Sequence, residues 1–526
     1  MPTKQPFLIL IFLALASFIL FAQDGVKFLE WSWNNPTIEY LEENVARMNA
    51  ECPQLDGLVI RVNGQEITDA DGGKWTPGSA NAWSKRRWEY AHFEDFVTRY
   101  RKLDMGHFTD NFFQLTTTHV DFDWLSDDEC ANMAHNFGVA AQVAKACGFK
   151  GLVVDIEEYG RHFWRFSDLE TTKSEGEIAE IVFRRGQEWG RQVFGAYPDI
   201  VLFMSFCLSM PDAPLAIAFM NGVLNVMPPK ALIYEGMESS GYAAKQGDAY
   251  RSMQDGLRKL IRRHVRPENR SKARGQILLA PAFYLDAYFV CEKGNYYHEN
   301  LEPDWTDLGA VKLFSRCLAA ASQEAEPYIW LYGEKRCWWK GSPHPANLGT
   351  WEEAPEGAGV MQALKEVKNP SEVRFDDPRN LVQDPSFQEI GVWKLWQQED
   401  DRKLPAHGTG LIRDGRCTMR RLTNGCYHQL IPCKPGQTYL FVVHGCVADA
   451  HSGSARAALN FKDAAGKWLP VSGNLRLEIP ATGKPETVWG YVTSPANAAS
   501  VSVQCGAADQ QEDGEVYFTG IYLREM

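Results

Sequence analysis

The sequence predicts an α/β protein: a (β/α)8 barrel followed by an all-β sandwich. Three observations predict it. Between residues 24 and 370, eight short and nearly all-apolar runs alternate with helix-like segments, the pattern of parallel strands buried on both faces. From about residue 380 the runs become short alternating segments punctuated by Gly and Pro, the texture of an antiparallel sandwich. The competing α/β architecture, an open doubly wound sheet, lacks its phosphate turn: there is no G-x-G-x-x-G and no Walker lysine loop.

The elements follow in order. Residues 1–22 have the form of an export signal: Lys4 is positive, Pro6 to Phe21 is almost continuously apolar, and the small Ala22 precedes polar Gln23 and Asp24. Cleavage there predicts a secreted, periplasmic or cell-surface protein with no remaining integral membrane segment. The competing reading is a retained anchor of about the minimum spanning length. Barrel strands are expected at Lys27–Trp33, Asp56–Val62, Asn111–Thr117, Gly151–Glu157, Ile200–Phe206, Ala231–Gly236, Gln276–Tyr284 and Pro327–Tyr332. Helices are clearest beside the fourth strand. Before it, Ser126 to Glu129 is a capping-box sequence, Val139, Val143 and Ala146 continue an apolar face, and Gly148 terminates it. After it, Ile178, Ile181, Val182, Trp189 and Val193 recur at helical spacing, as do Met253, Leu257, Leu260 and Ile261 later. Glu366–Pro378 is the expected linker between a barrel over 24–370 and a sandwich over 380–526. Sandwich strands are expected at Tyr427–Leu430, Thr438–Val443, Ala457–Phe461, Thr487–Val492, Ser500–Gln504 and Glu515–Leu523.

Composition narrows the function. The 526 residues carry a net charge of −13 and no basic run, which speaks against nucleic-acid binding. Seventeen Trp, 19 Tyr and 28 Phe are the unusual entry: a large core needs some of them, and proteins that bind sugars also use flat rings to cover pyranose C–H faces. The 12 Cys are scattered without a C-x-x-C pair; many are expected to be small buried apolar residues, with one bridge within Cys417, Cys426, Cys433 and Cys446 as the competing reading. There is no G-x-S-x-G elbow, no H-E-x-x-H and no Cys/His zinc spacing, so neither a metal nor another cofactor is implied.

In a (β/α)8 barrel the functional groups close the C-terminal ends of the strands. The fourth ends Asp155-Ile-Glu157-Glu158-Tyr159, and Asp155 and Glu157, two apart, share the inward face with Val153. Two carboxylates held together after four apolar residues disfavour each other's ionisation, so one stays protonated near neutrality. A proton donor beside a charged stabiliser is what glycosidic cleavage requires. Glu157 is the expected general acid and Asp155 its partner, with Glu238, Glu235 and Glu334 competing for a second carboxylate role. The other strand ends supply aromatics, amides and acids for a carbohydrate substrate: Trp31, Trp33 and Asn34 on the first, Tyr159 on the fourth, Tyr234 on the sixth, Tyr284 and Asp286 on the seventh, Trp330 and Trp338 on the eighth. Trp75, Trp83 and Trp88 lie in an insertion after the second strand, where they either cover the cleft or pack a local subcore. His107 and His119, flanking the third strand, are expected to be structural.

The fourth strand resembles the D-G-x-D-x-D-x-E signature of glycoside hydrolase family 18, with Lys150, Gly151, Val153, Asp155 and Glu157 at its named positions. Lys150 and Val153 depart from it, whereas Asp155 and Glu157 match. The resemblance implies that Glu157 is the acid and that Asp155 supports the substrate; Tyr234-Glu235 only approximates the family's Tyr-Asp, and Trp330 its late Trp. Residues 24–370 more broadly resemble secreted bacterial barrel glycosidases. The tail resembles carbohydrate-binding modules of the jelly-roll type, with Asn380–Phe387 like their opening strand, Gln429–Phe441 like the second and Val516–Tyr522 like the closing one. Thr519-Gly520 stands where many such modules carry Asp-Asp for calcium. The expected function is an exported glycoside hydrolase. The rivals are a non-catalytic carbohydrate-binding protein with an inactive barrel and a surface adhesion protein.

Overall fold

Nine short strands in the N-terminal two-thirds form one curled, wholly parallel sheet. The structure, a computed structural model, describes residues 25–32, 35–117, 122–159, 163–210, 213–242, 247–290, 309–340, 348–354, 357–389, 391–398, 409–511 and 514–526. The export signal, Trp33, Asn34 and His119 lie outside the described residues. The strands are β1 (Lys27–Glu30), β2 (Gly57–Ile60), β3 (Phe112–Thr116), β4 (Gly151–Asp155), β5 (Val201–Met204), β6 (Leu232–Glu235), β7 (Ile277–Leu279), β8 (Ala282–Tyr284) and β9 (Tyr328–Tyr332). They pair in the order β8-β9-β1-β2-β3-β4-β5-β6-β7. All eight predicted runs carry strand, but the seventh is split into β7 and β8, which form the two ends of the sheet. Pro281, which has no N–H, stands at the break. On either side of it Ala280 N donates to Glu235 O at 3.0 Å and Trp330 N donates to Pro281 O at 3.1 Å. One segment thus leaves β6 and joins β9.

The concave face of the sheet is filled. Leu29, Phe112, Val153, Phe203, Tyr234 and Tyr328 meet there. Rings on strands that are not neighbours touch: Trp31 and Phe203 at 5.9 Å, Tyr234 and Tyr328 at 4.9 Å. The convex face is covered by helices α1 (Ile38–Glu51), α2 (Asp127–Cys147), α3 (Glu175–Ala196), α4 (Pro214–Val226), α5 (Gly247–His264), α6 (Ala310–Ser322) and α7 (Val360–Lys368). Their ends follow the sequence signals. Ser126 caps α2 by accepting from Glu129 N, and Gly148 ends it at φ +73°, while the Glu129 carboxylate turns to Asp123 N instead of closing the box. Among the described residues no helix is long and apolar enough to cross a membrane.

The C-terminal third is antiparallel, with strands β10 (Lys394–Gln397), β11 (Thr409–Arg413), β12 (Arg416–Arg420), β13 (Asn424–Pro432), β14 (Thr438–Val447), β15 (Ser454–Lys462), β16 (Leu475–Ile479), β17 (Glu486–Thr493), β18 (Ser500–Ala508) and β19 (Glu515–Glu525). One sheet has the order β10-β13-β18-β15-β16 and the other β11-β12-β19-β14-β17. Sequence alternation found six of these strands and missed β10, β11, β12 and β16. Asn380–Phe387, expected to be the opening strand, is irregular chain; Leu381 N nonetheless donates to Leu523 O at 2.8 Å, so it lies along β19. In β14 the residues Tyr439, Phe441 and Val443 enter the sandwich core, while Leu440 and Val442 join the core that surrounds α5 and α6. Tyr491, Tyr522 and Met526 do the same. The predicted linker begins inside α7, where Glu366 pairs with buried Arg524 at 2.8 Å and with Arg379 at 3.1 Å. Cys417, Cys426, Cys433 and Cys446 are free thiols; the close pair is Cys417 and Cys505, whose Sγ atoms stand 3.9 Å apart across the sandwich.

Candidate active site

The end of β4 places Asp155 and Glu157 as alternation requires. Val153 points to the concave face, so the residues two and four further on emerge above it on the same side. Asp155 Oδ1 accepts from Glu157 N and from Ser205 Oγ, both at 3.1 Å. Tyr159, largely exposed, donates its hydroxyl to Glu157 Oε2 at 2.7 Å. The third carboxyl arrives from β6 by a turn. Tyr234 points into the concave face, so Glu235 points away from it; Met237 then adopts a left-handed conformation at φ +41°, and Glu238 swings back toward β4. A non-glycine residue in that region is strained, and such strain gathers at functional turns.

Glu238 is buried, and its Oε1 accepts from Tyr242 OH at 2.9 Å and from Tyr284 OH. Tyr284 reaches it because Gly241 has no side chain: a Cβ there would stand 2.3 Å from the Tyr284 ring. Glu238 Oε2 is buried and receives no N–H or O–H among the described residues. The Glu157 carboxyl lies close enough to bear on the proton affinity of Glu238, and Glu238 on that of Glu157.

The electrostatics agree with the geometry. Burial, then the charge of Glu157, pushes Asp155 up to about 7, against the hydrogen bonds from Glu157 N and Ser205. Burial, then the same neighbour, pushes Glu238 up to about 7, against the tyrosine donors. Burial raises Glu157 as well, opposed by Tyr159 and Glu238. Three neighbouring carboxyls with raised affinities for protons titrate as one set rather than singly.

The other expected site residues divide. Glu235 accepts from Leu208 N at 2.7 Å, Ser209 Oγ at 2.8 Å, and the amides of Cys207, Ser209 and Met237. It fastens the loop after β5 and has no oxygen free for a substrate. Asp286 does the same for the loop after β9, accepting from Glu334 N at 2.7 Å and Lys335 N at 3.1 Å. Glu334 accepts from Tyr332 OH at 2.9 Å, one ring removed from the three carboxyls. Tyr332 stacks on Tyr284 at 4.3 Å, and Trp330 meets Tyr284 at 5.9 Å and Trp31 at 4.5 Å. Trp31, Trp330 and Tyr234 are buried in the concave face below the carboxyls. Trp338 lies in the outer core against Trp351 at 6.5 Å, away from this cluster. Trp83 is the hub of a buried aromatic group with Phe122, Trp124, Phe137, Trp164 and Phe219, so it packs a subcore. His107 is structural, its Nε2 3.0 Å from Cys52 O. Sequence reasoning missed Ser205, and it passed over Tyr242 four residues after Glu238, a spacing that a single tight turn could have signalled.

No family model and no curated protein matches the sequence. The fourth-strand resemblance to glycoside hydrolase family 18 therefore rests on the residues alone. Solved structures match in part. The enzymatically active domain of bacteriophage CBA120 tailspike protein 4 is 13% identical over 28% of this chain, with a TM-score of 0.22, and the match spans only 22% of that domain. The family 16 carbohydrate-binding module-2 is 14% identical over 27% of this chain and 99% of the module, with a TM-score of 0.21. The CBM22-1 xylan-binding domain from Paenibacillus barcinonensis Xyn10C is 10% identical over 27% of this chain and 91% of its own, also at 0.21. At these scores the likeness assigns no residue a role.

Proposed function

We propose that this chain is an exported glycoside hydrolase whose catalytic centre is the carboxyl cluster above β4 and β6. In this reading the curled sheet closes through the Ile277–Tyr284 segment into a (β/α)8 barrel, and the C-terminal sandwich is a carbohydrate-binding module. The observation that carries the reading is the convergence of Asp155 with the pair Glu157 and Glu238, whose proton affinities burial raises. Glu157 is the more exposed of that pair and acts as general acid. Its proton passes to the glycosidic oxygen as the bond from that oxygen to the anomeric carbon breaks. Glu238, held by two phenols that favour its charged form, takes up the negative charge that steadies the oxocarbenium-like centre. The charge of Glu157 in turn keeps the proton affinity of Asp155 high.

Glu157→Gln tests this. The amide keeps the shape but delivers no proton, so turnover on a natural glycan should fall roughly 10²–10⁴-fold. An aryl glycoside with a good leaving group needs no acid and should lose far less. Equal loss on both substrates removes Glu157 from the acid's role. Wild-type turnover on the glycan removes the cluster from catalysis altogether.

A further inference from the structure

The sandwich presents its two sheets to different surroundings. The sheet containing β14, β17 and β19 packs its outer side on α5 and α6. The other, β10-β13-β18-β15-β16, has no such covering among the described residues. Along its central strands Tyr427, Cys505 and Ala457 point into the core, so their neighbours in sequence point outward. Two outward rows cross the sheet in register. One runs Trp396, Cys426, Gly506, Arg456, Glu478, and the next runs Lys394, His428, Gln504, Ala458, Arg476.

The first row is small at Cys426 and Gly506, between Trp396 on one side and Arg456 on the other, which makes a trough. Its walls are cationic. Lys394 stands on one edge strand and Arg476 on the other; Arg456 and Lys462 rise between them from β15. The one acid of these rows, Glu478, is paired with Arg476 at 2.9 Å. Burial, then the charges of Lys394 and Lys462, depress the proton affinity of His428. Trp396 is 43% exposed beside Lys394, with its ring free to receive a flat partner. A cationic face on a chain of net charge −13 is a local arrangement and does not follow from composition.

We propose that this trough binds a polyuronate, a polysaccharide carrying carboxylates on its sugar rings. The choice of a sugar polymer over other polyanions rests on the proposed glycosidase function; the choice of an anionic one rests on the trough. A uronic acid carries its carboxylate at the ring edge, so one sugar offers a C–H face to Trp396 and a charge to Lys394, two residues away on the same strand. Bulky sulfate esters on ring hydroxyls would stand between the sugar and the indole.

Affinity electrophoresis of the full chain through gels of polygalacturonate, a neutral xylan, chondroitin sulfate and single-stranded DNA decides it. Polygalacturonate should retard the protein most, and raising salt from about 50 to 200 mM should weaken that retention about ten-fold. Lys394→Glu with Arg476→Glu, both exposed, and separately Trp396→Ala, should each lose about ten-fold in retention while turnover on a short soluble substrate stays at the wild-type level. Glu157→Gln should do the reverse, so failure of the trough and failure of the catalytic reading are told apart. Stronger retention by xylan, chondroitin sulfate or DNA, or retention indifferent to salt and to these variants, overturns the proposal.

Discussion

Asp155 and Glu238 are raised to about 7 chiefly by burial, which makes them acid-stabilised residues. A carboxyl whose folded value exceeds its unfolded one contributes stability that is fully present below the unfolded value. That stability is lost as pH rises through the folded value. The window here runs from about pH 4 to about pH 7. Melting temperature should therefore fall across that range, and Glu238→Gln should flatten the fall, its disadvantage against wild type shrinking or reversing at pH 8. A gap between variant and wild type that is constant from pH 4.5 to 8 would show that Glu238 titrates normally. Burial raises Glu235 as well, against the donors that hold it, but its role is structural. It is a buried acceptor for five donors, and Glu235→Ala strands those amides, at about 3–5 kcal/mol. Much of this was legible. Alternation alone places Asp155 and Glu157 inward, and applied to Tyr234 it would have turned Glu235 outward. Glu238 was legible only as one of three candidates for the second carboxylate, because its return depends on a left-handed Met237, which no residue preference announces.

At the scale of elements, the strands buried on both faces were the easiest to read, since their apolar runs have no other use. The split of the seventh run at Ala280-Pro281 was the exception: its composition is continuous, and only the change of neighbour from β6 to β9 divides it. The sandwich edge was harder. β10 and β11 expose Leu395, Trp396 and Leu411 to solvent and their alternation fades, whereas β12 keeps it, with Cys417 and Met419 inward, over only five residues. Aromatic content misled most. Trp338 looks like a sugar platform in sequence and Trp83 is open there between cleft and subcore, yet both indoles are buried against other rings. Trp83→Ala should cost about 3–5 kcal/mol by calorimetry, as a core tryptophan does, with little change in KM. Unchanged melting with weakened substrate binding would return Trp83 to the cleft.

At the scale of the whole molecule, the seam between the two parts carries apolar residues from both. Leu440, Val442, Tyr491, Tyr522 and Met526 belong to one continuous core with Leu313 and Phe314 of α6. Two buried arginines cross it: Arg316 donates to Gly436 O, and Arg524 pairs with Glu366 of α7. A linker read from Lys-Asn-Pro-Ser implies a tethered module, but composition cannot report that the outer side of β14 is as apolar as the inner. The consequence is a sharp expectation for a chain ended at Asp377. Its helices α5 and α6 would expose the apolar patch that the sandwich covers, and Glu366 would lose its partner. Exposed contiguous apolar surface drives association, and breaking a buried ion pair costs about 3–5 kcal/mol. The shortened chain should therefore aggregate or melt well below the full one, and the intact protein should unfold in a single calorimetric transition. If the shortened chain is a soluble monomer melting within a few degrees of the whole, or if the whole unfolds in two separate steps, the seam is an incidental contact and the sandwich is a tethered module after all.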